Sequence, residues 1–225
     1  MSLEKLQSVW PRHEEMFIQS VIDTLVMVSI TLLVGGILGL ALGMLLYTTR
    51  KGGILQNTVV FNVLNFLVNL VRPIPFIILL SALGPLTNQV IGTQIGREAA
   101  TFAMSIAATF GVARIVEQNL VTIDPGVIEA ARSMGASPWR IIRTVIIPEA
   151  LGPLILGYTF IFIAIVDMSA MAGYIGGGGL GNFAVAYGYR AFQWELMWVA
   201  VIAIVVIVQV AQLFGNWLSK KIMRR

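Results

Sequence analysis

Residues 124–150 read DPGVIEAARSMGASPWRIIRTVIIPEA and form the longest polar interruption in an otherwise apolar chain. Asp124 and Pro125 predict a helix start, because an aspartate oxygen caps the first turn and proline lacks an N–H that this turn does not use. Gly135 predicts the end of that helix, since glycine adopts the left-handed C-terminal cap without strain.

The second half of this stretch repeats the pattern. Ser137 and Pro138 form another start signal, and apolar residues at helical spacing continue until Pro148, where we expect the second helix to stop. A helix–turn–helix with this many charges is too polar for lipid. We therefore expect residues 124–150 to stand in water, where a partner can bind them.

The composition indicates an integral membrane protein. The 225 residues are 57% hydrophobic and only 12% charged, whereas soluble domains carry about 25% charge. The chain has no cysteine, and its one histidine, His13, lies beside two glutamates, which predicts a solvated side chain rather than a metal ligand. We find no Walker lysine and no nucleophile–histidine–acid set, so we expect no catalytic site in this chain.

Apolar runs predict an all-α fold of about five transmembrane helices. An N-terminal extracytoplasmic arm (1–17) precedes the membrane domain (18–219), and a basic cytoplasmic tail (220–225) follows it. Each run approaches or exceeds the ~20 residues that a bilayer core requires. The predicted spans are about 18–48, 58–83, 98–116, 151–172 and 196–219.

The span 98–116 is weak evidence alone, because only 15 uncharged residues separate Glu98 from Arg114. The distribution of lysine and arginine favours including it. With five spans and the N-terminus outside, ten basic residues fall in the cytoplasm against four outside. The ten are Arg50, Lys51, Arg114, Arg132, Arg140, Arg143, Lys220, Lys221, Arg224 and Arg225; the four are Lys5, Arg12, Arg97 and Arg190. This arrangement also places residues 124–150 in the cytoplasm.

Polar residues inside the spans are candidates for a translocation pathway. Asn62, Asn65, Asn69 and Arg72 share one helix face, and Pro73 and Pro75 should kink the helix just beyond it. Such a stripe either lines a wet pathway or forms hydrogen bonds between helices, and the sequence leaves both open.

Asp167 is a carboxylate at membrane depth and therefore needs a partner or water. Arg72 is the only opposite charge that the predicted spans place at this depth, so we hypothesise an Asp167–Arg72 ion pair. Neutralising both residues should then be less harmful than Asp167→Ala alone.

Two glycine patterns have structural interpretations. Gly35, Gly39 and Gly43 recur at every fourth residue, which favours close helix packing, within one subunit or between subunits. The run GGGGLG at 176–181 has neither a preceding strand nor a following Lys-Ser/Thr pair, so we expect a flexible, close-packed outer loop rather than a phosphate site.

The stretch 124–150 also resembles the EAA loop of the permease subunits of bacterial ABC importers. The resemblance lies in Glu129, Ala130, Ala131, Gly135 and Pro148. Two further segments resemble the methionine-importer permeases within that family. These are 72–80, RPIPFIILL, and Ser169, Ala170 and Met171 followed by 176–181. The resemblance covers most of residues 18–218.

The resemblance implies a type I ABC importer permease, embedded in the bacterial cytoplasmic membrane. The permease would form a homodimer and assemble with two cytoplasmic ATPase subunits and an extracytoplasmic substrate-binding protein. Residues 124–150 would dock in an ATPase groove. ATP and Mg would bind to the ATPases, so we expect no cofactor in this chain, and no nucleic acid as partner. The substrate implied is methionine, the L-isomer and also its D-isomer or derivatives.

Ser169, Ala170 and Met171 are the gate candidates, with Asn69, Arg72 and Asp167 along the pathway. Met171 could equally be a simple core residue. Two alternatives remain: a permease for another amino acid or small solute, and an ion-coupled secondary transporter that uses Asp167. The second usually shows inverted repeats, which we do not find here.

Overall fold

The computed structural model describes residues 7–223 as a bundle of helices. A short 3₁₀ turn, Trp10–Arg12, precedes α1. The α-helices in chain order are α1 (Glu14–Thr49), α2 (Thr58–Val71), α3 (Phe76–Ala82), α4 (Gly84–Ile91), α5 (Arg97–Val121), α6 (Pro125–Ser133), α7 (Pro138–Ile141), α8 (Ile147–Tyr174), α9 (Gly179–Phe183) and α10 (Trp194–Met223). π-Helical turns at Ile142–Ile146 and Ala184–Tyr189 lead into α8 and out of α9.

Four segments within residues 7–223 are long and apolar enough to cross a membrane: α1, α5, Pro138–Tyr174 and α10. A fifth crossing exists if α2 and α3 count together, although these two helices meet at an angle of 103°. The all-α membrane fold predicted from the sequence is therefore confirmed.

The core is built around the pair α1 and α5. Gly39 lies so close to α5 that an added Cβ would stand 2.5 Å from the Cβ of Val112, and a Cβ on Gly35 would stand 2.8 Å from that of Ala108. Small residues at this spacing let two helix backbones approach closely. The structure therefore shows these glycines packing within one subunit, which is one of the two arrangements that the sequence left open.

The break between α2 and α3 lies where the two prolines predict it. Asn57 caps α2 by accepting a hydrogen bond from the Val60 N–H at 3.1 Å. Arg72 ends α2, and α3 begins after Pro75. The predicted break at Arg72 is confirmed, but it is sharper than a kink: Pro73 and Pro75 remove two backbone donors within three residues, and α2 and α3 meet at 103°.

The prediction that a helix stops at Pro148 is wrong. The π-helical turn Ile142–Ile146 joins α7 to α8, and the Ile147 N–H donates to the carbonyl of Ile142. This shift of the hydrogen-bond ladder leaves Pro148 in the first turn of α8, where no N–H is needed. The second helix of the polar stretch thus continues into the membrane-spanning segment.

The glycine run folds into a packed turn. Gly176, Gly178 and Gly179 have positive φ values of 96°, 76° and 73°. The Leu180 N–H donates to the hydroxyl of Thr24 on α1 at 2.8 Å, and Leu180 is fully buried. The expectation of close packing is confirmed, but the run opens the short helix α9 instead of forming only a loop.

His13 was expected to be a solvated side chain, but the structure shows it packed against other residues. Its Nδ1 lies 3.0 Å from the carbonyl oxygen of Val9, and its ring meets the ring of Tyr187 edge-on at 5.5 Å. The N-terminal arm is therefore packed on the π-helical turn from residue 9 onward, while residues 1–6 lie outside the described part. Arg224 and Arg225, predicted as part of the basic tail, also lie outside it.

Candidate functional site: a docking helix and a polar face

Helix α6 has the capped ends predicted from the sequence. The carboxylate of Asp124 accepts a hydrogen bond from the Gly126 N–H at 2.8 Å. At the other end Gly135 has a φ of +78°. The N–H of Ala136 reaches back to the carbonyl of Ala131 at 3.1 Å and closes the C-terminal turn. Both ends of α6 are thereby fixed without help from another chain.

One face of α6 packs on the protein itself. Ala131 is only 5% exposed and belongs to the main core with Ile123 and Ile141. Glu129 and Ala130 are exposed. The predicted coupling triplet is therefore divided: Ala131 anchors α6, whereas Glu129 and Ala130 face outward.

The outward surface of α6 and α7 carries apolar side chains that the sequence analysis missed. Met134 is 81% exposed, Trp139 is 60% exposed, and Val127 is also exposed. We call these three residues the docking surface. The guanidinium of Arg143 lies over the Trp139 ring, 4.6 Å from its centroid. The signal that could have found them is the presence of large apolar residues in a stretch that is polar overall.

A polar cluster joins α2 to the C-terminal part of α5. Arg114 donates to the Glu117 carboxylate at 2.6 Å and to Asn65 Oδ1 at 2.8 Å, and a further short hydrogen bond reaches Asn69 Oδ1. Asn69 in turn donates to Asn65 at 3.2 Å. We call these four residues, Asn65, Asn69, Arg114 and Glu117, the polar cluster. For Asn65 and Asn69, the interpretation as hydrogen bonds between helices is the one that the structure supports.

Arg114 does not lie in a cytoplasmic loop, as the charge distribution assumed. Helix α5 continues to Val121, so Arg114 is seven residues inside its end. The span was expected to end near residue 116, shortly after the charge at Arg114. The ion pair of Arg114 with Glu117 explains how the helix continues through both charges.

The hypothesis of an Asp167–Arg72 ion pair is wrong in this structure. Residues 7–223 contain three ion pairs, Arg97–Asp23, Arg97–Glu98 and Arg114–Glu117, and none includes Asp167 or Arg72. Both residues are exposed on the surface of the single chain. The elimination that paired them rested on sequence position alone, which does not show which side chains face each other.

The three gate candidates point in different directions from α8. Ser169 is buried and its hydroxyl donates to the carbonyl of Val166 at 2.7 Å. Ala170 lies against Gly181, whose added Cβ would collide with the Ala170 carbonyl. Met171 is 39% exposed and lines an open cavity of about 430 Å³ with Ile77, Tyr174 and Val185. Ala170 also lines this cavity, whereas Ser169 is buried away from it, and Met171 is not a core residue of the single chain.

No metal centre is found in the described part of the chain, where no group of three or more His, Cys, Asp or Glu side chains converges. The features present are instead apolar crossings, a break at two prolines and a capped polar helix pair outside the bundle. These features define a multi-pass helical membrane protein with a capped polar helix pair between two of its membrane-spanning segments.

The chain belongs to the family described as the binding-protein-dependent transport system inner membrane component, which matches residues 35–224. It is a permease subunit of the ABC transporter class. It is 38% identical to the probable D-methionine transport system permease protein MetI of Vibrio cholerae, over the whole of both chains. It is 42% identical to the methionine import system permease protein MetP of Bacillus subtilis, covering 80% of this chain and 82% of that protein.

A solved structure of the MetNI methionine ABC transporter in an inward-facing conformation has the same fold. Its matching chain superimposes with a TM-score of 0.91 and 37% identity, covering 94% of this chain and 98% of that one. The chain therefore has the fold of the permease subunit of a solved ABC transporter.

Proposed function

We propose that this chain is the translocating subunit of an ATP-driven importer that carries methionine into the cytoplasm. The proposal includes L-methionine and its D-isomer or derivatives. It is supported by relatives named for methionine transport at 38% and 42% identity. ATP hydrolysis belongs to a partner, and this chain converts the movement of that partner into alternating access.

The docking surface is the observation that carries the proposal. Val127, Met134 and Trp139 expose apolar area on two short helices whose own ends are capped, so the surface is preformed. A short helix presenting apolar residues fits the groove of a partner protein. A cytoplasmic ATPase subunit is the occupant that the proposed mechanism requires.

The chain acts as a homodimer with two ATPase subunits and one extracytoplasmic binding protein. The apolar cavity beside Met171 opens to the surface of the single chain, as expected if two copies together enclose the pathway. A thioether substrate suits such apolar, Met-lined walls. Arg72 and Asp167 are exposed on the single chain and supply polar groups to the pathway. Asn69 is exposed as well, and it borders the pathway while its side chain stays hydrogen-bonded to Arg114.

The proposed location is the bacterial cytoplasmic membrane, with the N-terminus outside and the C-terminus in the cytoplasm. This orientation places α6, α7 and the C-terminal lysines of α10 on the same side. It follows the bias of basic residues toward the cytoplasm. Arg114 no longer counts toward that bias, but nine cytoplasmic residues against four outside remain.

The test is methionine-stimulated ATP hydrolysis and methionine uptake by the permease reconstituted with its ATPase and binding protein. Trp139→Ala should abolish both the stimulation and the copurification of the ATPase. Trp198→Ala is the matched control, because Trp198 is an equally exposed tryptophan at 55% but lies on α10. Normal coupling in Trp139→Ala would contradict the docking role, and stimulation only by a different solute would contradict the substrate.

A further inference from the structure

An apolar groove runs along the side of the bundle between α1, α8 and α10. Its volume is about 510 Å³. Gly215 forms part of its floor, where α10 approaches α8 so closely that an added Cβ would collide with Thr159. The side chain of Ser219 donates to the carbonyl of Gly152 at 3.2 Å and holds the two helices together at one end of the groove.

The lining of the groove excludes a polar occupant. Only Tyr158 and Thr159 bring hydroxyl groups to it. Tyr158 donates to the carbonyl of Gly36 at 2.7 Å, and Thr159 donates to the carbonyl of Ile155 at 2.8 Å. The remaining lining is aliphatic or aromatic, from residues such as Leu40, Phe162 and Phe214. A hydrocarbon chain is therefore the chemistry that the groove accommodates.

A lysine follows the groove-lining residues at the C-terminal end of α10. Phe214 and Leu218 line the groove on α10, and Lys221 follows them by seven and three residues, which places it on the same side of the helix. The Lys221 ammonium lies 5.2 Å from the centroid of the Trp217 ring. Lysine and tryptophan together at a helix end are typical of the headgroup level of a membrane.

The groove is separate from the proposed translocation pathway. Asp167 lies nine residues after Tyr158, which is two and a half helical turns and places it on the opposite side of α8. A second copy of the chain that encloses the pathway beside Met171 and Asp167 would therefore leave the groove facing lipid.

We propose that this groove is a binding site for one acyl chain of an anionic phospholipid, with the headgroup phosphate at Lys221. Burial of its apolar surface holds the acyl chain in the groove, and the lysine favours a headgroup with a net negative charge. The site is distinct from the substrate pathway and from the docking surface. The proposed topology is needed only to decide which leaflet supplies the lipid.

The experiment is native mass spectrometry of the full-length permease purified in mild detergent. The probes are phosphatidylglycerol and phosphatidylcholine with identical acyl chains. We expect one retained lipid per chain, with about a fivefold preference for phosphatidylglycerol, the factor that roughly 1 kcal/mol for one lysine gives. Lys221→Gln should remove the preference for phosphatidylglycerol, while the groove still binds the acyl chain of either lipid. Lys220→Gln should keep it, because Lys220 lies on the opposite side of α10 from Ala211.

A second variant pair tests the groove itself. Ala211→Phe fills the groove from α10 and should abolish lipid retention. Val210→Phe adds a ring at a neighbouring exposed position outside the lining and should leave retention unchanged. Three results would each overturn the proposal. The first is equal lipid retention in the two variants, and the second is no headgroup preference in the unmodified permease. The third is that Ala211→Phe loses the dimer while lipid binding is unaffected.

Discussion

Arg114 and Glu117 form an ion pair of 2.6 Å one turn apart on a membrane-spanning helix, and both side chains are mostly buried. Asn65 and Asn69 on α2 accept the remaining hydrogen bonds of the guanidinium. The pair therefore does more than neutralise two charges, because it is the polar link between α2 and α5.

Removing one member of this pair should destabilise the bundle strongly. Arg114→Met leaves the Glu117 carboxylate buried without its partner, and breaking such a pair costs about 3 kcal/mol. The measurement is the free energy of unfolding of the purified permease in a denaturing-detergent titration.

The double variant Arg114→Met, Glu117→Met should recover much of that loss, since no unpaired charge remains. Arg72→Met is the control, because Arg72 is exposed and outside the three ion pairs of the described chain. A double variant as unstable as the sum of the two single variants would contradict this interpretation of the pair.

The contact between α1 and α5 predicts opposite effects of the same substitution at two glycines. Gly39→Ala should destabilise the permease, because its Cβ would stand 2.5 Å from the Cβ of Val112 and 2.7 Å from the carbonyl of Thr109. Overpacking of this kind typically costs about 1–3 kcal/mol.

Gly111→Ala is the matched control in the interior of α5, where an added Cβ meets nothing within 4 Å. It should stabilise by about 0.5–1 kcal/mol, because alanine favours a helix interior over glycine. Thermal unfolding of both variants in the same detergent measures the difference. Equal midpoints would mean that the two helices are not in close contact.

Features set by neighbouring residues were predictable from the sequence. Asp124, Ser137 and Gly135 decide the ends of α6 and α7 through hydrogen bonds and dihedral angles that lie within a few residues. The break after Arg72 is likewise local, because two prolines remove the backbone donors of that turn. The apolar runs predicted four of the crossings for a similar reason, since hydropathy depends on composition alone, and the fifth depends on counting α2 and α3 together.

Features set by which helix faces which were not predictable. The sequence shows Arg114 as a charge that shortens a span, and only its contact with Asn65 explains why α5 continues through it. The proposed partner of Asp167 failed for the same reason. Trp139 and Met134 were also missed, because exposure of an apolar residue depends on whether the rest of the chain covers it.

The ion-pair hypothesis predicted that neutralising both Asp167 and Arg72 is less harmful than neutralising Asp167 alone. The separation of the two residues in the structure predicts a different result. With no contact between them in this structure, the effects of Asp167→Asn and Arg72→Gln on uptake should add. The coupling free energy in a double-mutant cycle should be under about 0.5 kcal/mol. The measurement is the initial rate of methionine uptake in proteoliposomes. A double variant that transports faster than Asp167→Asn alone would show that the two residues meet in another conformation.

Gly135 gives a prediction about coupling rather than stability. Its φ of +78° is strained for residues with a Cβ, although an added Cβ would meet nothing within 4 Å. Gly135→Val should therefore shift the C-terminal end of α6 at a cost of about 1–2 kcal/mol. Because Met134 and Trp139 lie on either side of this turn, the docking surface would lose its shape while the membrane bundle stays intact.

We expect Gly135→Val to reduce methionine-stimulated ATP hydrolysis and uptake at least tenfold, while the unfolding midpoint falls only by the few degrees that about 1–2 kcal/mol gives. Gly135→Asn is the matched variant, since asparagine tolerates the left-handed conformation and should retain most of the coupling. Gly135→Leu or Gly135→Asp should fall between these two in order of backbone strain. Full coupling in Gly135→Val would mean that the turn after α6 does not position the surface proposed to bind the ATPase.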